Sequence, residues 1–143
     1  MILGVGVDIV DLAGFRAQLQ DPASVYADRT FTAAELRDAD NRPSADPPRH
    51  LAARHAAKEA FIKAWSAARW GQAPQLAAVD LHEIEVICDA YGRPALRLSG
   101  VVAAAVATLG AVRPHLSLSH DGGQATAMVV LEGHPESSNR SPA

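Results

Sequence analysis

One alanine-rich segment, residues 49–65 (RHLAARHAAKEAFIKAW), constrains the fold more than any other part of the chain. At 100° per residue, four alanines of this segment fall on one narrow helical stripe: Ala53, Ala57, Ala60 and Ala64. Because alanine lets two backbones approach closely, we expect this face to pack against a sheet. Residues 49–65 are therefore predicted to form a central helix.

The other side of this helix is polar. It carries one carboxylate among several cations, in the order Arg54, His55, Lys58, Glu59 and Lys63. Such a group on a rigid helix can hold a metal ion against a phosphate. The alternative is an ordinary solvated pair, since Glu59 and Lys63 are four residues apart in the favourable order, which is worth roughly 0.2–0.5 kcal/mol. The spacing alone leaves both interpretations open.

The whole chain excludes several classes of protein. Its 143 residues suit one domain. A net charge of −3 without a basic run argues against a general nucleic-acid binder. No apolar run approaches the roughly 20 residues of a membrane span, and the N-terminus has no signal-peptide pattern. Cys88 is the single cysteine, so it makes no internal disulfide. We expect a soluble, cytoplasmic protein without a membrane or nucleic-acid partner.

Five stretches have the composition of strands. Residues 2–10 read as a buried strand that contains Asp8, and a buried carboxylate requires a partner, a metal ion or a place at the strand end. Residues 81–89 and 95–98 form a predicted hairpin around Gly92. Residues 115–119 and 125–131 form another around the Asp121-Gly122-Gly123 turn.

Helices are predicted between these strands, over residues 11–20, 33–39 and 99–109. The capping box of Thr32 and Glu35 starts the second of these, and Gly110 ends the third. Residues 1–132 form one predicted domain, and the polar residues 133–143 a disordered tail. Interspersed helices and hairpins predict an α+β fold with an antiparallel sheet.

Three segments together closely resemble the holo-acyl-carrier-protein synthases, the short type of 4′-phosphopantetheinyl transferase. They are GVGVD at residues 4–8, RHAAKEAFIKA at 54–64 and HLSLSHD at 115–121. The Phe31-Thr32-x-x-Glu35 segment and the Gly92-Arg93-Pro94 turn also match, so that the resemblance covers essentially residues 1–132. It implies an antiparallel sheet wrapped around a long central helix.

The resemblance also implies a reaction. These enzymes transfer phosphopantetheine from coenzyme A to a serine of an apo-acyl carrier protein, or of a carrier domain of a fatty acid synthase, and release 3′,5′-ADP. Asp8 and Glu59 match the two carboxylates that hold Mg²⁺, an ion that usually takes one or two carboxylates from a protein. Arg54 and Lys58 or Lys63 would take up the remaining phosphate charge.

Two histidines extend this implied site. His115 matches a family position beside coenzyme A. His120 and Asp121 start the predicted turn, and a histidine next to an aspartate can act as a general base, with Lys63 as a further catalytic group. Two alternatives stay open. Asp121 before two glycines also suits a hairpin turn, and a water on the metal could relay the proton.

The sequence departs from the family pattern at two places. His55 stands where an aromatic residue is usual. Gly14 stands where many relatives have an arginine that contacts the acidic carrier protein, and Arg16 follows two residues later. Docking of the carrier is therefore expected to depend on a local basic patch that includes Arg16 and Arg29.

Assembly is implied by the resemblance alone. Short members match one half of the longer two-lobed transferases and complete their sites as homotrimers. Two other functions are open at this point: a different Mg²⁺-dependent diphosphate hydrolase, and a non-catalytic coenzyme A-binding module in which Asp8 and Glu59 are structural.

Overall fold

The fold is built by packing one long helix on a three-stranded antiparallel sheet. In the computed structural model, residues 1–43 and 46–134 are described. The elements in chain order are β1 (Ile2–Asp11), α1 (Leu12–Gln20), α2 (Tyr26–Thr30), α3 (Ala33–Asp40), α4 (Pro47–Ala68), β2 (Ile84–Cys88), β3 (Pro94–Leu98), α5 (Gly100–Ala107), β4 (Val112–Asp121) and β5 (Gln124–Gly133), with a 3₁₀ turn at Leu81–Glu83 before β2. The main sheet has the order β1-β5-β4, and β2 and β3 form a second, two-stranded sheet.

The contact between β1 and α4 depends on two glycines. A Cβ atom at Gly6 would lie 1.9 Å from the carbonyl oxygen of Ala60, and one at Gly4 would lie 2.1 Å from that of Ala64. Both distances are far inside van der Waals contact, so only glycine allows this approach. The prediction that the alanine stripe of the central helix packs on a sheet is confirmed.

The opposite side of α4 is also covered. Helix α3 and strand β2 pack there, and Glu35 joins the three elements: one carboxylate oxygen accepts from Lys58 Nζ at 2.6 Å and the other from the Val86 backbone N–H at 3.1 Å. Arg54 is 3% exposed and Lys58 0%. The expectation of one continuous polar side is therefore wrong, because α3 and the β2–β3 hairpin bury part of it.

Most predicted elements are present, with shifted ends. The capping box of Thr32 and Glu35 begins α3 as predicted. Strand β4 runs to Asp121, so His120 and Asp121 lie in the strand, and Gly122, at φ 55°, makes the turn. Helix α2 was not predicted. Strand β5 includes Gly133, and residues 135–143 of the predicted tail lie outside the described residues.

The outer face of the main sheet, the face that does not contact α4, carries exposed apolar side chains. Val5, Val7 and Ile9 of β1 and Met128 of β5 are each between 46% and 60% exposed. A contiguous exposed apolar face of this kind is typical of a surface that contacts another molecule. None of the described helices is long and apolar enough to cross a membrane.

Candidate active site

Strand β1 carries Asp8 to the side of α4. Gly4, Gly6 and Asp8 alternate along the strand, so all three face the helix. Lys63 Nζ of α4 donates to Asp8 Oδ1 at 3.0 Å and to the Val7 carbonyl oxygen at 2.9 Å. The Asp8 side chain is 18% exposed and that of Lys63 54%. Asp8 thus has the partner that its place in an apolar strand requires.

An open cleft of about 390 Å³, here called the carboxylate cleft, lies beside this pair. Its lining includes Asp8 and Asp11 of β1, Phe15 of α1, Tyr26 of α2, and His55 and Glu59 of α4. The two residues predicted to bind metal, Asp8 and Glu59, therefore share one cleft. Mg²⁺ usually keeps several waters and takes one or two carboxylates from the protein, so these two carboxylates fit it. In the described parts of the chain, no group of three or more His, Cys, Asp or Glu side chains forms a metal site.

Tyr26 and His55 form a hydrogen-bonded pair in the wall of the carboxylate cleft, with Tyr26 Oη 2.6 Å from His55 Nδ1. Burial raises the pKa of Tyr26 to about 12. Burial also lowers the pKa of His55. Both side chains are consequently neutral near pH 7. Sequence reasoning missed Tyr26 because it lies on the short helix α2.

A second group of side chains, here called the cationic cluster, lies where the first turns of α4 meet the end of β4. Its members are Arg42, Arg49, His50, Arg54 and His120. The His50 and His120 rings are 6.4 Å apart, and Arg54 donates to the Asp38 carboxylate and to the His50 carbonyl oxygen. Burial, with the charges of Arg49 and Arg54, lowers the pKa of His120.

The cationic cluster contains buried nitrogen atoms that lack a hydrogen-bond partner in the protein. Among the described residues, Arg42 Nε, Arg54 Nε and His120 Nε2 are buried atoms with no hydrogen-bond partner. Burying such groups without a partner costs free energy. The cluster can therefore take an anion, for which arginine is well suited.

The structure divides the residues that the sequence assigned to one site. Asp8 and Glu59 line the carboxylate cleft and Lys63 pairs with Asp8 beside it, whereas Arg54 and His120 belong to the cationic cluster. His115 lies on the outer face, where its Nε2 is 2.7 Å from Glu132 Oε2. Asp121 is exposed at the end of β4.

Lys58 lies in neither group. Its ammonium is enclosed and donates to Glu35 and, at 2.8 Å, to the Leu81 carbonyl oxygen. The resemblance implied that Lys58 or Lys63 takes up the remaining phosphate charge, and in this structure the ammonium of Lys58 already has two protein partners. Consecutive residues of a helix point about 100° apart, and this separation sends Lys58 toward α3 and Glu59 toward the cleft.

A sequence model described as the 4′-phosphopantetheinyl transferase superfamily matches residues 4–127. The chain belongs to this superfamily, which confirms the resemblance inferred from its motifs.

Similar proteins within the superfamily are holo-acyl-carrier-protein synthases. A holo-[acyl-carrier-protein] synthase of Mycobacterium bovis is 48% identical over 132 residues, which cover 92% of this chain and 97% of the relative. The solved ACPS-CoA complex of Chronobacterium ammoniagenes has a TM-score of 0.85 and 45% identity, and covers 92% of this chain and 98% of that one. The acyl carrier protein synthase of Mycobacterium tuberculosis has a TM-score of 0.73 and 43% identity, with 94% and 100% covered.

Proposed function

We propose that this protein is a cytoplasmic enzyme that transfers 4′-phosphopantetheine from coenzyme A to a serine hydroxyl of an apo-acyl carrier protein or carrier domain. The reaction releases 3′,5′-ADP and uses Mg²⁺. The observation that carries the proposal is that Asp8 and Glu59 line one cleft, with Lys63 paired to Asp8, in a chain of this superfamily.

The chemistry explains these three residue types. When the serine oxygen attacks the β-phosphorus, negative charge grows on the bridging and terminal phosphate oxygens. Mg²⁺ held by Asp8 and Glu59 would neutralise part of this charge. Lys63 Nζ, held in place by Asp8 and the Val7 carbonyl oxygen, can donate a charge-assisted hydrogen bond to a phosphate oxygen.

The cationic cluster would bind other phosphate oxygens of coenzyme A. Its buried Arg54 Nε lacks a protein acceptor, and a phosphate oxygen would supply one. Three groups can accept the serine proton: His120, Asp121 and a water molecule. The pH–rate profiles of His120→Gln and Asp121→Asn variants distinguish among them, since only loss of the true base removes the corresponding limb.

A separate pocket of about 280 Å³ suits the pantetheine arm. Its lining includes Ile62, Trp65, Ser66, Leu76 and Val79. Ser66 lies seven residues after Glu59, so both project from the same side of α4 about two turns apart. The arm, an apolar chain interrupted by two amides, matches this mostly apolar wall.

Assembly as a homotrimer would join the two groups of side chains. In one chain Arg54 and His120 lie outside the carboxylate cleft, and the exposed apolar outer face of the sheet is available for contact between subunits. Subunits packed through this face would bring the cationic cluster of one beside the carboxylate cleft of the next, and could also place His115 there. Light scattering of the active protein should give the mass of a trimer, and a monomer mass would contradict this assembly.

The transfer itself is tested by incubating the protein with coenzyme A, Mg²⁺ and apo-acyl carrier protein, and then weighing the carrier. The wild type should add phosphopantetheine, and Asp8→Ala and Glu59→Ala should abolish the addition. Asp28→Asn, at an exposed aspartate of α2, is the control and should remain active.

Three results would contradict the proposal. Near-normal turnover of Asp8→Ala would remove the metal assignment. Release of 3′,5′-ADP without a carrier would identify a hydrolase. Binding of coenzyme A with no transfer to any carrier would identify a non-catalytic module.

A further inference from the structure

The pocket of about 280 Å³ assigned above to the pantetheine arm, here called the arm pocket, has two unlike walls. Helix α4 forms one wall, with Trp65, Ser66 and Arg69 among its lining residues. The other wall is irregular backbone between the end of α4 and β2, and it includes residues 72–76 and Val79. A wall of irregular backbone keeps its shape through its contacts with neighbouring elements.

Gln75 joins this irregular wall to two helices. Its side-chain oxygen accepts a hydrogen bond from Trp65 Nε1 of α4 at 3.1 Å. Its Nε2 donates to the Ala105 carbonyl oxygen at 3.1 Å and to Thr108 Oγ1 at 2.9 Å, at the C-terminal end of α5. One glutamine side chain thus connects α4, the irregular wall and α5.

The chemistry of its partners determines the orientation of the Gln75 amide. An indole N–H only donates, and a backbone carbonyl only accepts. The amide oxygen must therefore face Trp65, and the amide nitrogen must face Ala105. Both N–H groups of Gln75 and the single side-chain N–H of Trp65 are then used within the protein. The role left to Gln75 is to hold the wall and the indole in place.

Trp65 and the irregular wall are the two parts that Gln75 holds together. The Trp65 ring is buried and lies beside Phe61, with ring centroids 6.2 Å apart. Because the indole has one N–H, its hydrogen bond to Gln75 defines the rotation of the ring. Nearer to α4, Arg69 Nη2 donates to the Ala73 carbonyl oxygen at 3.0 Å. Arg69 therefore holds one end of this segment, and Gln75 holds the other.

We infer that Gln75 is a positioning residue for the pantetheine arm: it sets the separation between the Trp65 indole and the irregular wall, and so the width of the arm pocket. The inference rests on the proposed function, in which the arm pocket takes the pantetheine arm of coenzyme A. A wall that is held in place before binding lowers the entropic cost of ordering it around the ligand. Loss of Gln75 should therefore weaken binding of the arm and leave binding of the nucleotide unchanged.

Binding of coenzyme A and of 3′,5′-ADP to the full chain with Mg²⁺, measured by isothermal titration calorimetry, tests this inference. The second ligand has the nucleotide but lacks the arm. Gln75→Met keeps the side-chain length and removes the hydrogen bonds, so it should weaken coenzyme A binding about tenfold. Its affinity for 3′,5′-ADP should stay within about twofold of the wild type. In the transfer reaction its Michaelis constant for coenzyme A should rise, with kcat little changed.

Two further variants make the test specific. Gln75→Glu keeps the acceptor for Trp65 Nε1 and removes both N–H donors toward α5. It should show the same selective loss of coenzyme A affinity, and it decides the test if Gln75→Met does not fold. Gln20→Met, at an exposed glutamine at the end of α1, is the matched control and should bind both ligands as the wild type does.

The fluorescence of Trp65 reports on the arm pocket independently of affinity. The chain has two tryptophans, and Trp70 is 91% exposed, so Trp70→Phe leaves Trp65 as the sole source of indole emission. In this background coenzyme A should change the emission, whereas 3′,5′-ADP should not. Addition of Gln75→Met should make Trp65 more accessible to quenching by acrylamide, because the indole loses the partner that fixes it.

Two results would overturn the inference. One is a coenzyme A affinity of both Gln75 variants within about twofold of the wild type. The other is an equal loss of affinity for coenzyme A and 3′,5′-ADP, which would show that Gln75 only supports the fold. A Trp65 emission that coenzyme A leaves unchanged would instead overturn the assignment of the arm pocket in the proposed function. The two failures are therefore distinguishable.

Discussion

Lys58 and Lys63 are five residues apart on α4 and carry the same charge, but they belong to different regions of the molecule. Lys58 is fully buried and paired with the equally buried Glu35, and burial lowers its pKa although Glu35 opposes that shift. Lys63 is half exposed and paired with Asp8 at the carboxylate cleft. The difference teaches that one helix can use the same residue type to hold the fold on one side and to meet a substrate on the other.

The largest effect should come from breaking the buried pair. Lys58→Met leaves the Glu35 carboxylate buried without its cation, which typically costs about 3–5 kcal/mol. Lys63→Met removes an exposed pair, which is worth about 0–1 kcal/mol. Urea unfolding of both variants, compared with the wild type, measures these two free energies.

A second substitution, at the carboxylate partner of Lys58, makes this prediction more specific. Adding Glu35→Gln to Lys58→Met removes the unpaired charge, so the double variant should be more stable than Lys58→Met alone. Equal unfolding free energies for Lys58→Met and Lys63→Met would show that the buried pair contributes no more to stability than the exposed pair does.

The reverse order is expected for catalysis. Lys63→Met removes one donor from the growing charge on the phosphate, and loss of one such donor typically lowers turnover by about 100-fold or more. Its unfolding curve should stay close to that of the wild type. Transfer measured at saturating coenzyme A and carrier tests this, and near-normal turnover of Lys63→Met would remove it from the catalytic residues.

The pH dependence of stability extends the contrast between buried and exposed charge. Burial is the first cause that lowers the pKa of His50, His55 and His120. A lowered pKa means that the unfolded chain binds more protons, so stability should fall as pH drops below about 6.5, the ordinary pKa of histidine. Urea unfolding at a series of pH values checks this, and His120→Gln should flatten the slope. A slope that is unchanged in this variant would exclude His120 as a contributor.

The smallest effect is expected at the surface of α1. Arg16 pairs with Asp46 at 2.7 Å, and a charge at the rim of an interface acts mainly on the association rate and its salt dependence. Arg16→Glu should raise the Michaelis constant for the carrier severalfold and leave that for coenzyme A almost unchanged. Added salt should weaken carrier binding by the wild type, because at 0.15 M the Debye length is only about 8 Å.

Asp46→Asn is the matched control for Arg16→Glu. It breaks the same ion pair but keeps the cation, so the Michaelis constant for the carrier should not rise. An equal rise in both variants would assign the effect to the contact between α1 and α4 instead of to docking.

The sequence was sufficient for the local features of the fold. The period of α4, the capping box of α3 and the turn residues of the two hairpins are local signals, and each element is present. Helix α2 escaped prediction because its five residues are too few for a period, and its N-cap residue Val25 makes no side-chain hydrogen bond. Tyr26 was missed for that reason.

The candidate site was only partly predictable. Asp8 and Glu59 were chosen through motifs, and the structure brings them to one cleft. The burial of Lys58 could not be read from spacing, because it depends on how α3 and the β2–β3 hairpin pack on α4, which are contacts between residues distant in the chain. Helix α3 also holds Arg54, through Asp38, and Arg54 does not line the carboxylate cleft.

The two glycines of β1 also determine how the protein would tolerate change. Any side chain at Gly4 or Gly6 would push the strand away from α4, and Asp8, two residues after Gly6 on the same face, would move with it. The separation between Asp8 and Lys63 therefore depends on the absence of side chains at Gly4 and Gly6. If every single substitution were tested for carrier modification, changes at Gly4 and Gly6 should reduce activity about as much as changes at Asp8 and Glu59. Along β1, sensitive positions that face α4 should therefore alternate with tolerant positions on the outer face.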